Sequence, residues 1–387
     1  MKCYLGDVCH FYSGTGFPVE YQGKTSGELP FYKVGDISNN TIAGNTRLSM
    51  CSNYISWQEA NELKGSILPS DTVVFAKIGE ALKLNRRAIT KCDCLVDNNV
   101  MGIAPNPEVL RIDYFFYFMK RLKMQDLAES TTVPSVRKSK LERVEITVPS
   151  MAEQIEIEWK LQAIDCIIQK RKQQLSALDD LIKARFVEMF GDVILNPFRW
   201  DKNSLGVVCD VRDGTHDSPK YYESGFPLVT SKNVTGGKID LTDCSLICEA
   251  DFRKINERSK VDVGDIIMPM IGTVGKPVIV SIEPSFAIKN VSLIKFRPNS
   301  KVLNIYIHAL LQSDYFDDAV LSKVRGGTQK FISLGDIRKL EVLIPPMDKQ
   351  EQFSEFVLQV DKSKSAIQKS LDETQILFDS LMQKYFG

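Results

Sequence analysis

The stretch Val148-Pro149-Ser150-Met151-Ala152-Glu153-Gln154 returns later in the chain as Ile344-Pro345-Pro346-Met347-Asp348-Lys349-Gln350. Each opens a run that closes on Phe-Gly, at Phe190-Gly191 and at Phe386-Gly387. Equivalent positions lie 196 residues apart at both ends, so no insertion separates the copies. Glu145 matches Glu341 and Asp165 matches Asp361 on the same offset. Inside the first copy, Ile157, Leu161, Ile164, Ile168, Arg171, Leu175, Leu178 and Ile182 alternate spacings of four and three. The second copy carries Phe353, Val357, Val360, Lys364, Ile367, Leu371, Thr374 and Phe378 at the same places. That spacing is a coiled-coil seam, interrupted by polar Arg171, Lys364 and Thr374. A helix of some forty residues spans about 60 Å. An amphipathic helix lying on its own domain is the plainer alternative, but so narrow a stripe suits a single helix partner better. The polar seam residues are expected to fix register, or to mark where the pair meets another protein.

Outward from the helices, each is preceded by about 150 residues of short apolar runs and turn signals, which predict mixed β structure with a few helices. These segments can be overlaid. Gly6-Asp7-Val8-Cys9 answers Gly206-Val207-Val208-Cys209, and Leu29-Pro30-Phe31-Tyr32-Lys33 answers Phe226-Pro227-Leu228-Val229-Thr230. Ser70-Asp71-Thr72-Val73-Val74 answers Gly264-Asp265-Ile266-Ile267, with Gly79 following in one half and Gly272 and Gly275 in the other; Asn99-Val100 answers Asn290-Val291. Ser56-Trp57-Gln58-Glu59 is a capping box that should open a short helix. The expected division is residues 1–149 and 192–345 as two domains, with 150–191 and 346–387 as helices. A duplicated unit presents two similar surfaces, so the ligand should be something that can be gripped twice.

Composition narrows the class. Of 387 residues, 43% are apolar and 25% charged, the balance of a soluble protein, and no apolar run reaches membrane-spanning length. Met1-Lys2-Cys3-Tyr4 does not open a signal peptide. Nine cysteines without zinc-like spacing predict reduced thiols in a cytoplasmic protein, with Cys9 and Cys209 as equivalent packing residues. Forty-nine basic against forty-nine acidic residues leave no net charge, so any nucleic-acid surface must be a local patch or be completed by a partner.

Motifs for catalysis are missing. Gly272-Thr273-Val274-Gly275-Lys276 is too short for a phosphate-binding loop, and Pro277 stands where Ser or Thr is required. Asn196-Pro197-Phe198 lacks a companion glycine loop and reads as a linker turn. His10, His216 and His308 lie far apart, which argues against a metal cluster or a nucleophile–base pair. No metal, cofactor or catalytic residue is therefore expected.

What remains is binding chemistry. Asp213-Gly214-Thr215-His216 continues to Lys220 and Tyr221; Ser231-Lys232-Asn233 follows a short strand; and Arg325-Gly326-Gly327-Thr328-Gln329-Lys330 is a glycine-permissive loop. With Lys276, these are residue types that reach base edges and phosphates. First-half analogues are Lys33, Lys77, the run Lys83, Arg86 and Arg87, and Arg137 with Lys138. Any one of them could be a solvated turn residue. As a set recurring in both halves, they favour binding.

The chain resembles the specificity subunit of type I restriction–modification systems. The likeness covers nearly its whole length and is sharpest over Gly326-Gly327-Thr328-Gln329-Lys330-Phe331-Ile332-Ser333, then Ile337, Leu340, Ile344-Pro345-Pro346 and Gln350. The first copy, Thr131-Thr132-Val133-Pro134-Ser135 through Val148-Pro149-Ser150 and Gln154, lacks the Gly-Gly, the glutamine and the second proline. The resemblance implies an α+β fold of two tandem, mixed, β-rich target-recognition domains. Each is followed by a long helix, and the helices pair as an antiparallel coiled coil with pseudo-twofold symmetry. It implies a non-catalytic subunit reading a bipartite site in double-stranded DNA. Two modification subunits would bind S-adenosylmethionine and methylate adenine, and two restriction subunits that use ATP can join. Helix ends and outward faces are the expected docking places. The alternatives are a coiled-coil scaffold whose β-rich domains bind protein or carbohydrate, and a self-contained enzyme.

Overall fold

The computed structural model describes residues 1–129, 133–271, 274–323 and 331–387. The chain forms two units: Met1–Gln173 with Lys369–Gly387, and Gln174–Gln368. Each long helix, Met151–Phe190 and Met347–Phe386, is therefore divided between both units.

The first unit is built on strands β1 (Lys2–Tyr4), β2 (Cys9–Ser13), β3 (Leu29–Tyr32), β4 (Tyr54–Ile55), β5 (Val73–Ala76), β6 (Arg87–Ile89), β7 (Leu95–Val96), β8 (Val100–Pro105) and β9 (Glu145–Thr147). An antiparallel sheet runs β2-β8-β5-β6, and β3 pairs antiparallel with β4 and parallel with β7. Strand β1 closes on β9. The apolar runs seen in sequence are buried strands: Val73, Val74, Phe75 and Ala76 are all inside. The helix Ile112–Arg121 buries Tyr114, Phe115, Phe116, Phe118 and Met119 in one core with Phe75, Met101 and Ile146, at roughly 1.5–3 kcal/mol for each large apolar side chain. Ser56 caps helix Trp57–Glu62, accepting from the Glu59 amide, while the Glu59 carboxylate accepts from the Ser56 amide at 2.8 Å.

The second unit repeats this order. Its strands are β10 (Asp201–Ser204), β11 (Asp210–Asp213), β12 (Phe226–Val229), β13 (Val234–Thr235), β14 (Lys238–Ile239), β15 (Ser245–Ile247), β16 (Ile266–Pro269), β17 (Val278–Ile279), β18 (Ala287–Ile288), β19 (Val291–Lys295) and β20 (Glu341–Ile344). The sheets run β11-β19-β16-β17, β15-β12-β18 and β10-β20, with hairpin β13-β14 added. The turn feeding the central strand needs a left-handed residue in both copies: Asp71 (φ 58°) before β5 and Gly264 (φ 90°) before β16. Tyr114 donates to the Thr147 carbonyl at 2.9 Å and Tyr306 to the Leu343 carbonyl at 3.0 Å, so even the buried hydroxyls recur. Asn196-Pro197-Phe198 is a turn: the Asn196 side chain closes on both backbone groups of Trp200.

The predicted seam is the packed face of both helices. In the first unit Leu161, Ile168 and Phe378 form one cluster with Tyr117 and Met382, joined by Ile157, Ile164 and Leu371. In the second, Phe353 and Val357 join Phe186, Phe190 and the flanking Ile182, with Phe186 and Phe353 ring centres 5.7 Å apart. Val360 is buried, while Leu175, Leu178 and Ile367 are half-buried. The start of one helix meets the end of the other within each unit, so the pair is antiparallel. Polar Lys364 reaches across to Asp179 at 2.5 Å. Cys209 is buried and Cys9 half-buried, and burial pushes both thiols up to about 12. All nine cysteines are free. Among the described residues no helix is long and apolar enough to cross a membrane, and no His/Cys/Asp/Glu group could hold a metal.

Candidate nucleic-acid interface

The loops beyond β3 and β7 in the first unit, and beyond β12 and β18 in the second, are wired alike. The Thr15 amide donates to the Val96 carbonyl (3.0 Å), and the Thr215 amide to the Ile288 carbonyl (3.0 Å). The Asp97 amide donates to Tyr32, and the Lys289 amide to Val229. The preceding glycine is sterically required in each case. A Cβ on Gly14 would lie 1.8 Å from the Asp97 carbonyl oxygen, and one on Gly214 2.5 Å from that of Ile288.

On this shared frame the side chains differ. In the second unit His216 Nε2 lies 2.8 Å from Asp213 Oδ2, and Nδ1 lies 2.9 Å from Asn290 Oδ1. Asp213 is buried and also accepts from Arg258, which comes from helix Glu249–Ser259. The bonds to Asn290 and Asp213 raise the His216 imidazole above its ordinary value. Lys289 Nζ donates to Ser218 Oγ at 2.9 Å, and Ser231 Oγ to the Asn290 carbonyl at 3.4 Å. Lys220 lies over the Tyr222 ring, beside exposed Tyr221. Lys232 faces Asp243 at 3.9 Å, and Lys276 is exposed.

In the first unit Asp97 occupies the place of Lys289, its carboxyl raised by burial. The Lys33 ammonium meets Gln22 at 2.7 Å and overlies Phe17. The Lys77 backbone joins this loop to the next, accepting from Val136 and donating to Asn99. Arg137 is exposed and pairs with Glu129 at 2.9 Å; Lys138 faces Glu142, and Lys83 pairs with Glu80. Arg86 is half-buried.

Two expected contacts are corrected. Arg87 is only 3% exposed, and its guanidinium donates to Leu122 and Asn85 carbonyl oxygens, so it holds β6 to the loop after helix Ile112–Arg121. Asn233 is likewise buried. Its side chain accepts from Thr230 and donates to the Asp243 carbonyl, fixing the turn before β13. Both belong to the scaffold. Arg325, Thr328, Gln329 and Lys330 lie outside the described residues. Sequence reasoning did not single out Arg258, Lys289 or Asp97 as site residues. Arg258 gives no local signal, because it reaches Asp213 from 45 residues away.

The family profile described as "Type I restriction modification DNA specificity domain" matches residues 1–177 and again 197–375. The MjaIX specificity subunit of Methanocaldococcus jannaschii is 24% identical, with 94% of this chain and 87% of that protein covered. The EcoKI specificity subunit of Escherichia coli is 21% identical over 68% of this chain and 60% of its own. Among solved structures, the type I restriction–modification S subunit from M. genitalium superposes with a TM-score of 0.55 at 15% identity, covering 100% of this chain and 96% of the other. A chain from a structure of a type I system's complex assembly and conformational transition gives 0.54 at 19% identity, covering 100% and 97%. At these identities the structural likeness speaks for the fold.

Proposed function

Since the chain belongs to the type I restriction modification DNA specificity family, and is thus a non-catalytic specificity subunit, we propose that its two units read the two halves of a bipartite site in double-stranded DNA. The observation that carries this reading is the pair of identically wired loop frames bearing different side chains, with Asp97 in one where Lys289 stands in the other. A common frame sets how each reader approaches the duplex. Unlike side chains then select unlike base pairs. The long helix pair acts as the spacer between the half-sites.

The partners in this reading are two modification subunits, which carry S-adenosylmethionine, and two restriction subunits, which use ATP; the chain itself holds no cofactor. A chain with no net charge needs their help to grip phosphates. The experiment is selection from a random duplex pool by the chain co-purified with its candidate modification subunit. The expected result is a split motif with a fixed gap, in which Gln329→Ala or Arg325→Ala alters one half only. No enriched sequence, with no co-purification, would sink the proposal.

A further inference from the structure

We propose that His216 is the positioning residue of the second reader, held as an imidazolium between Asp213 and Asn290, so that recognition of one half-site, and only one, depends on a proton. This rests on the reading of the units as two DNA readers. Both ring nitrogens face oxygen acceptors, Asp213 Oδ2 at 2.8 Å and Asn290 Oδ1 at 2.9 Å. With the Asn290 amide oxygen facing the ring, both nitrogens act as donors, which only the protonated ring supplies. The ring thereby clasps the loop after β11 to the loop between β18 and β19, the two loops that make the face.

The surrounding charges make that proton count. Asp213 and Asp217 lie on the histidine's own segment, and Asp210 and Arg212 form a pair on β11. Arg258 comes from helix Glu249–Ser259 and opposes the imidazolium, while Lys289 comes from the facing loop. Nearest the ring, these three carboxylates balance these three permanent cations, so the His216 proton adds a charge to the positive face that Lys220 completes, with Lys232 paired to Asp243 beyond it. Its loss opens the clasp and removes the positive charge together, and both weaken contact with phosphates. The first unit has no counterpart: Gly16 stands where His216 does, and Ser13 where Asp213 does.

The test has two arms. In the full chain labelled with 15N-histidine, with His216→Gln identifying the signal, His216 should titrate above the ordinary imidazole value of about 6.5. Asp213→Asn should bring it down. A His216 that titrates at or below the ordinary value overturns the inference. In the second arm, the complex with the modification subunit is measured at constant salt on duplexes with one half-site scrambled. With the second unit's half-site intact, affinity should fall about fivefold or more between pH 6.5 and 8.5, since each pKa unit carries a factor of ten. With only the other half-site intact it should stay flat, as it should for His216→Gln on either duplex. Selective binding that ignores pH overturns this inference and leaves the bipartite reading standing. Absence of any sequence selectivity removes both.

Discussion

Gln154 and Gln350 occupy the same place in the two units and spend their amides identically. Gln154 donates to the Val109 and Pro149 carbonyls (3.0 and 3.1 Å) and accepts from the Arg111 amide (2.9 Å). Gln350 donates to the Lys301 and Pro345 carbonyls (both 2.9 Å) and accepts from the Leu303 amide (2.8 Å). Both are fully buried. Each glutamine thus ties the first turn of a long helix to the loop that starts the helix bearing Tyr114 or Tyr306.

Replacing either glutamine with alanine strands three buried backbone groups. At roughly 0.5–1.5 kcal/mol for each lost bond plus desolvation, Gln154→Ala and Gln350→Ala should each cost about 2–4 kcal/mol. Urea unfolding followed by hydrogen exchange should place the loss in the first unit for Gln154 and in the second for Gln350. A loss below about 0.5 kcal/mol would contradict this account.

Arg87 and its neighbours should separate cleanly. Arg87→Ala removes one of two donors to the Leu122 carbonyl, where Asn85 Nδ2 remains, and one of two to Asn85 Oδ1, where the Met124 amide remains, and should destabilise the first unit by about 1–3 kcal/mol. Lys83→Ala and Arg86→Ala should leave melting unchanged. If they touch phosphates, each lowers the slope of log affinity against log salt by about one. Thermal melting and salt titrations of DNA binding measure both.

Gly14 and Gly214 offer a test of the proposal that each unit reads its own half-site. Alanine at either position drives a methyl group into a backbone carbonyl, displacing the loop at roughly 1–3 kcal/mol. Gly14→Ala should weaken one half-site and Gly214→Ala the other, read as affinity for duplexes with single half-sites mutated. Equal loss on both halves from either variant would refute the assignment of one reader to each unit.

His308 supplies a pH dependence of stability. Burial holds its imidazole down at about 4, with the ring donating to the Pro277 carbonyl at 3.1 Å. The folded value is depressed, so the unfolded chain takes up the proton first as pH falls. The stability present above the ordinary imidazole value drains away toward pH 4, by about 2 kcal/mol at pH 5. Urea unfolding at pH 7.5 and pH 5 should show this drop, and His308→Gln should remove it. An unchanged drop in the variant would place its origin elsewhere.

Much of this protein was legible in its residues one after another. The 196-residue repeat, the four-and-three seam from Ile157 to Ile182 and from Phe353 to Phe378, the Ser56 capping box and the buried β5 and β16 all rest on local periodicity, which the linear chain displays in full. Tertiary structure alone decided three things. It divided each long helix between two units, because the antiparallel partner lies nearly two hundred residues away. It turned Arg87 and Asn233 from surface cations and amides into scaffold, because burial is set by what the rest of the chain lays on top. It gathered Asp213, His216, Arg258 and Asn290 into one constellation, drawn from three segments that no sequence window contains. Periodicity is written along the chain, but burial and side-chain partnership come into being only when distant segments meet.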